Sequence, residues 1–140
     1  MFAERMIKIK LDKGAIAPTR AHTYDAGLDL YAMNDAVVDY SETFDTGVHI
    51  EIPEGCVGFI KSKSGLMVNH QITTDGTIDA HYTGSIKVKL FNHGETSYLV
   101  QAGDKIAQLV IVPCMLPRLE LVDNLEETDR GDRGFGSTGR

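Results

Sequence analysis

The stretch DGTIDAHYTG, residues 75 to 84, places a carboxylate, Asp79, between the apolar Ile78 and the small Ala80. It sits at the tip of an expected hairpin whose return strand is SIKVKLFN. A carboxylate held in such a turn can act as a general base on water, given hydrogen-bond reach and ionisation near neutral pH. Aspartate is also an ordinary turn former, and on local pattern alone that is its commoner use. Tyr82 could stack on a ligand or simply cover the hairpin.

Two further stretches have the makings of phosphate sites. In KSKSGL, residues 61 to 66, Lys63, Ser64 and the Gly65 amide could hold an anion, and a helix beginning there would add its positive end. The same residues make an ordinary strand-to-helix turn. The tail RGDRGFGSTGR, residues 130 to 140, sets Gly136, Ser137, Thr138 and Gly139 beside Arg130, Arg133 and Arg140. Glycines let several backbone N–H groups converge on one anion. The tail lacks the ending and the βαβ context of a Walker loop. Taken alone it reads better as a solvated end, except for the lone aromatic Phe135.

Two residues break apolar runs. Asp29 lies between Leu28 and Leu30 in DAGLDLYA, and an acid inside an apolar strand must be paired, hydrogen-bonded or near a metal. Gln108 interrupts the apolar run of GDKIAQLVI in the same way. Such departures from pattern point to sites.

The elements that must position these groups are strands. Ile86, Val88 and Leu90 alternate with Lys87 and Lys89, and Val48, Ile50 and Ile52 share one face of GVHIEIP. MIKIKL sets Ile7, Ile9 and Leu11 against Met6, Lys8 and Lys10. CVGFI, SYLV and IAQLVIV complete a series of short strands bounded by turn residues. One short helix is expected in SGLMVNH, capped by Ser64. This pattern predicts an all-β sandwich or barrel, with a jelly roll among the standard solutions. The 140 residues suit one domain, residues 1–124, followed by a glycine-rich arm, residues 125–140.

Composition narrows the function classes. The start MFAERMIKIK lacks an apolar signal core and no apolar run is long enough to span a bilayer, so the expectation is a soluble cytoplasmic protein without a membrane role. The net charge of −6 argues against a general nucleic-acid surface. An anionic ligand would need a few placed cations or a metal. Cys56 and Cys114, far apart and in apolar settings, read as reduced core residues and lack the spacing of a zinc site.

In order and spacing, DAGLDLYA, KSKSGL, DGTIDAHYTG, GDKIAQLV and RGDRGFGSTG together resemble the five motifs of the homotrimeric dUTP diphosphatase (dUTPase) family, over residues 25 to 139. The resemblance implies a jelly-roll-like β subunit, a homotrimer, and active sites at subunit interfaces. It implies hydrolysis of dUTP to dUMP and pyrophosphate with Mg²⁺, by water attack on the α-phosphorus. Asp79 would orient and deprotonate that water. The backbone between Gly76 and Lys87 would read the uracil edge, with Ile78 and Tyr82 against the deoxyribose. Lys63, Ser64, Gly65 and Gln108 would meet the phosphates, and Asp29 would help hold the metal through water. In the arm, Phe135 would stack on uracil, Arg130 would reach the γ-phosphate, and Gly136, Ser137 and Thr138 would wrap it. The arm would then be a lid that excludes water.

The chain departs from the family pattern at two places. Ser62 and Lys63 stand where proline and arginine are common, which implies a point charge in place of a planar fork at the phosphates. Thr73 stands where many members carry asparagine. Two other readings remain open at this level. A dCTP deaminase relative would use a glutamate in the hairpin, and none occurs between residues 55 and 94. A nucleotide-gated arm could also engage a regulatory protein partner.

Overall fold

The computed structural model describes residues 5–136, 138 and 139. The strands are β1 (Ile9–Leu11), β2 (Leu28–Tyr31), β3 (Ala36–Val38), β4 (Ser41–Asp45), β5 (Val48–Ile50) and β6 (Cys56–Lys61), followed by β7 (Ile72–Thr73), β8 (Asp75–Ile78), β9 (Lys87–Asn92), β10 (Tyr98–Val100) and β11 (Lys105–Pro113). Helix α1 (Ser64–His70) sits between β6 and β7. All pairings are antiparallel. A four-stranded sheet runs β2-β11-β6-β8 and a three-stranded one β4-β9-β7, with two-stranded ribbons β1-β5 and β10-β3 beside them. The architecture is all-β and sandwich-like. Among the described residues the strands do not close into a barrel.

Alternation builds the core as expected. β9 buries Val88, Leu90 and Asn92 and turns Lys87, Lys89 and Phe91 outward, continuing from buried Ile86. Val48, Ile50 and Ile52 are likewise buried, with Ile60, Leu109 and Leu30 opposite them in the same apolar cluster. Each such side chain contributes about 1.5–3 kcal/mol when taken out of water. In β11 the register shifts between Lys105 and Ala107, so consecutive Ile106 and Ala107 are both buried. A bulge has this effect because it interrupts the two-residue repeat. Asn92 is a buried amide whose Nδ2 donates to the Val38 and Thr96 carbonyls while its Oδ1 accepts from Gly94 N–H.

Several expectations are corrected. β8 and β9 do not form a hairpin: β8 pairs with β6, whereas β9 pairs with β4 and β7. The connection 79–86 therefore crosses from one sheet to another. Ser64 is not the helix cap. Lys63 occupies that position in extended backbone, no side chain caps the helix, and Ser64 is its first residue. Ile9 and Leu11 remain substantially exposed, because β1 pairs only with β5 and has no layer over its outer face. Cys56 and Cys114 are free thiols, as expected, but half-buried at the end of the β6–β11 ladder rather than in the core.

Beyond Pro113 the chain runs on with no strand or helix among its described residues, and Met115, Leu116, Leu119, Leu121 and Leu125 are exposed. No helix among the described residues is long and apolar enough to cross a membrane. Leu90→Ala is expected to lose about 2–5 kcal/mol in urea unfolding through cavity formation. Lys89→Ala, one residue away on the outer face, is expected to change stability by less than about 0.5 kcal/mol.

Candidate active site

The ladder of β11 assembles one half of the site. Gln108 lies opposite Asp29 of β2 on one side and opposite Lys61 of β6 on the other. Directly opposed residues share a face of the sheet. Asp29 and Gln108, separated by nearly eighty positions in the chain, therefore rise side by side. Gly27 makes room for this arrangement, since a Cβ there would collide with the Gln108 amide. Gln108 Nε2 donates to the Ser62 carbonyl at 3.4 Å, and Ser62 Oγ exchanges hydrogen bonds with the Thr74 backbone. The chain leaving β6 is thus tied down just before Ser64 and Gly65, which are both exposed. A Cβ added at Gly65 would meet nothing within 4 Å, so packing makes no demand for glycine there. Its open face suits the close approach of a ligand to the backbone.

Asp29 is only 3% exposed, and two cations answer it. Lys63 Nζ donates to Oδ1 at 2.6 Å, and Lys105 Nζ lies 3.3 Å from Oδ2. An unpaired carboxylate at this depth would be very costly, whereas two ammonium groups beside it offset the burial. The arrangement meets the requirement for pairing and bears on a metal. Both Asp29 oxygens are engaged by ammonium groups, and no cluster of three His, Cys, Asp or Glu side chains among the described residues could hold an ion. These residues do not fit a resident Mg²⁺, which asks for an octahedral oxygen shell.

The other half of the site lies on the connection 79–86. Tyr82 N–H donates to the Asp79 carbonyl at 3.2 Å, closing a turn in which His81 adopts the left-handed φ of 71°. Tyr82 OH donates to the Ser85 carbonyl at 2.9 Å, and its ring folds down over Gly84, where a side chain would clash. Ser85 Oγ donates to Asp45 Oδ1. Burial pushes the Asp45 carboxyl up, but the Ser85 hydroxyl, the Gly47 N–H and nearby Lys87 and His49 outweigh it and hold the group below its ordinary value. Thr77, Ile78, Asp79, Tyr82, Ser85 and Lys87 line an open cavity of about 210 Å³. Asp79 is exposed at its edge, and Gly76 lies one residue before Thr77 on β8.

One chain does not bring the two halves together. Ile78, next to Asp79, pairs with Gly58, whereas Ser64 lies beyond Lys61 at the other end of β6. Gly58 and Lys61 are three rises apart, on the order of 10 Å along β6. Asp79 and the Ser64–Gln108 cluster of one chain therefore lie toward opposite ends of β6. The described residues of the arm dock on neither half. Phe135 is fully exposed, and Arg130 and Arg133 bond only to backbone carbonyls of the arm itself. Gly136 has the left-handed φ of 92°, and Thr138 is exposed. Ser137 lies outside the described residues.

Lys105, Gly27 and Ser62 escaped the sequence reading as members of the site. Their roles depend on cross-strand neighbours, and only the glycine of DAGLD carried a local signal. Thr73, at the family's asparagine position, bonds through Oγ1 to His93 Nε2 at 2.7 Å.

Residues 13–139 match the family model described as dUTPase. The deoxyuridine 5'-triphosphate nucleotidohydrolase of Gloeothece citriformis is 47% identical over 135 residues, covering 93% of each chain. That of Clostridium tetani is 43% identical over 143 residues, covering 98% of this chain and 99% of its own. The structure of a Staphylococcus bacteriophage 80alpha dUTPase with dUpNHpp matches at a TM-score of 0.88 and 31% identity, covering 98% of this chain and 100% of that one. A mutant dUTPase of phage phi11, whose structure is described as showing the coordination of a structural Mg(II) ion, matches at a TM-score of 0.81 and 28% identity, covering 88% of this chain and 100% of that one.

The lysines around Asp29 should be non-additive. Lys63→Met and Lys105→Met are each expected to cost little, because one cation remains, while the double variant should lose about 3–5 kcal/mol by stranding a buried carboxylate. A double-mutant cycle in urea unfolding measures the difference.

Proposed function

The chain belongs to the dUTPase family, and we infer that it is a dUTP diphosphatase, hydrolysing dUTP to dUMP and pyrophosphate. The activity would remove dUTP from the nucleotide pool and supply dUMP for thymidylate synthesis. The observation that carries the residue assignment is the position of Asp79, an exposed carboxylate on a closed turn at the rim of a cavity shared with Tyr82 and Ile78.

In this reading Asp79 takes a proton from a water whose oxygen bonds to the α-phosphorus. The bond from that phosphorus to the bridging oxygen breaks, pyrophosphate leaves with the electron pair, and Asp79 returns its proton to solvent. Positioned proton transfer of this kind contributes about 10²–10⁴ in rate. Backbone groups between Gly76 and Lys87 read the uracil edge. Ile78 and Tyr82 lie against the deoxyribose, where a 2′-hydroxyl would collide. Ser64, Gly65 and Gln108 take the phosphates.

The separation of the two halves along β6 favours a site shared between subunits, and hence a homotrimer. The exposed apolar residues of β1 and of the segment after Pro113 favour it as well, since such surface is usually covered by a partner. In the trimer the arm, residues 125–140, acts as a lid, with Phe135 over uracil and Arg130, Gly136, Ser137 and Thr138 around the γ-phosphate. Mg²⁺ accompanies the triphosphate, since the described residues offer no cage of their own. Lys63 contributes charge to the phosphates only insofar as it shares its proton donors with Asp29.

Asp79→Asn is expected to reduce pyrophosphate release from dUTP by at least about a hundredfold while the fold and the oligomer persist. Wild-type turnover in that variant would remove Asp79 from the mechanism. Truncation after Asp129 is expected to leave the size-exclusion mass near three chains less the arms and to abolish nearly all activity. Offered dUTP, dTTP, dCTP and UTP separately, the enzyme is expected to release pyrophosphate from dUTP alone, and ammonia from dCTP would indicate a deaminase instead.

A further inference from the structure

His49 lies outside every motif and yet reaches the turn that carries the base. It sits on β5 opposite Lys10 of β1, with its side chain 22% exposed. Its Nδ1 is 2.7 Å from the Thr83 carbonyl oxygen and its Nε2 is 3.0 Å from Asp12 Oδ1. Both partners can only accept. A neutral imidazole carries one N–H, so only the imidazolium satisfies both contacts. Asp12 is itself fixed, its N–H donating to the Gly47 carbonyl at 2.8 Å and its carbonyl accepting from Ala15 N–H at 3.0 Å.

The connection 79–86 has few other ties to the sheets. Its C-terminal end is held by Ile86 N–H on the Val48 carbonyl, and by Thr46 N–H and Oγ on the Ile86 carbonyl. Near Asp79 and Tyr82 the side-chain ties to other elements among the described residues are three, His49 to Thr83, His81 to Glu54, and Ser85 Oγ to Asp45 Oδ1. In the second pair both side chains are 80% exposed, and exposed pairs contribute little. Of the two histidines His49 is the less exposed, at 22%.

We propose that His49, as an imidazolium, is a positioning residue for the reaction. It straps Thr83 to Asp12 and so holds the adjoining Tyr82, the sugar platform, where it meets the substrate. The proposal rests on the dUTP diphosphatase reading for its kinetic consequence, though the strap itself does not depend on substrate.

The charges around the ring define its pH range. The Thr83 carbonyl and then the Asp12 carboxylate raise the His49 pKa above its ordinary 6.5, while burial and Lys10 oppose them. Lys8 and Glu51 line the same cavity of about 310 Å³, and Asp45 of β4 senses the imidazolium charge. A group whose folded pKa is raised contributes fully below its unfolded value and loses that contribution as pH rises through the folded one. The strap is therefore complete below about pH 6.5 and released on the alkaline side.

Two measurements on the full-length protein test this. In substrate-free NMR titration from about pH 5.5 to 9, the Thr83 carbonyl ¹³C shift is expected to follow the His49 ring with one midpoint above about 6.5. Asp12→Asn is expected to lower that midpoint. In steady-state dUTP hydrolysis, wild-type KM is expected to rise about three- to tenfold across the same range with kcat little changed, the size of one net hydrogen bond. His49→Leu should show the high KM at every pH. His49→Asn, whose amide keeps a donor near the Nδ1 position, should restore a low KM that no longer varies with pH. A Thr83 carbonyl that does not titrate with His49, or a His49→Leu enzyme with the wild-type KM profile, overturns the proposal. Absence of dUTP hydrolysis in the wild type overturns the functional reading, and the titration then judges the strap alone.

Discussion

The register of β11 between β2 and β6 is the constraint on which the rest of the molecule depends. It sets Gln108 level with Asp29 and Lys61 and carries Leu109 into the core on the opposite face. A slip of one residue would turn every side chain of β11 to the wrong side, burying Gln108 and exposing Leu109. The bulge at Ile106 shifts the ladder once, between the Lys105 and Ala107 pairings, so that Lys105 still reaches Asp29 from the strand's beginning. Gly27 and Ser62 then follow as accommodations, one clearing space for the glutamine and the other anchoring the chain that emerges toward Ser64.

The same sheet divides the chemistry. Because β8 runs antiparallel to β6, the residues after β8 emerge at the end of β6 remote from α1. Asp79 and the Ser64–Gln108 cluster are thereby held apart within one subunit. On the proposed function, a chain with an open cavity around Asp79 builds its enclosed site between copies. The walls missing from that cavity, on this reading, belong to neighbouring subunits and to the arm.

Charge distribution follows a related logic. An acidic chain that takes a highly anionic substrate must avoid presenting bare carboxylates to it. The deepest carboxylate of the site, Asp29, is covered by Lys63 and Lys105. Their positive charge is largely used in doing so, and on the proposed function the arm's arginines and an accompanying cation balance the triphosphate. On the other side Asp45 is engaged by Ser85 and the Gly47 amide, so Asp79 stands as the carboxylate at the rim of that cavity.

The sequence by itself determined the fold class and offered the candidate groups. Period-two alternation in SIKVKLFN and GVHIEIP leaves few options for burying Val88, Leu90, Val48 and Ile50, and a turn-borne Asp79 among Ile78 and Tyr82 is a local feature visible in ten residues. It could not determine which strands pair. The expected hairpin between β8 and β9 was reasonable from proximity, yet each strand finds its partners in a different sheet, because side-chain alternation specifies a face and not a neighbour. Nor could it show that Asp29 is answered by Lys105, that Gln108 needs Gly27, or that His49 meets Thr83. Those contacts join residues remote in the chain, and only the tertiary registers bring them within hydrogen-bond reach.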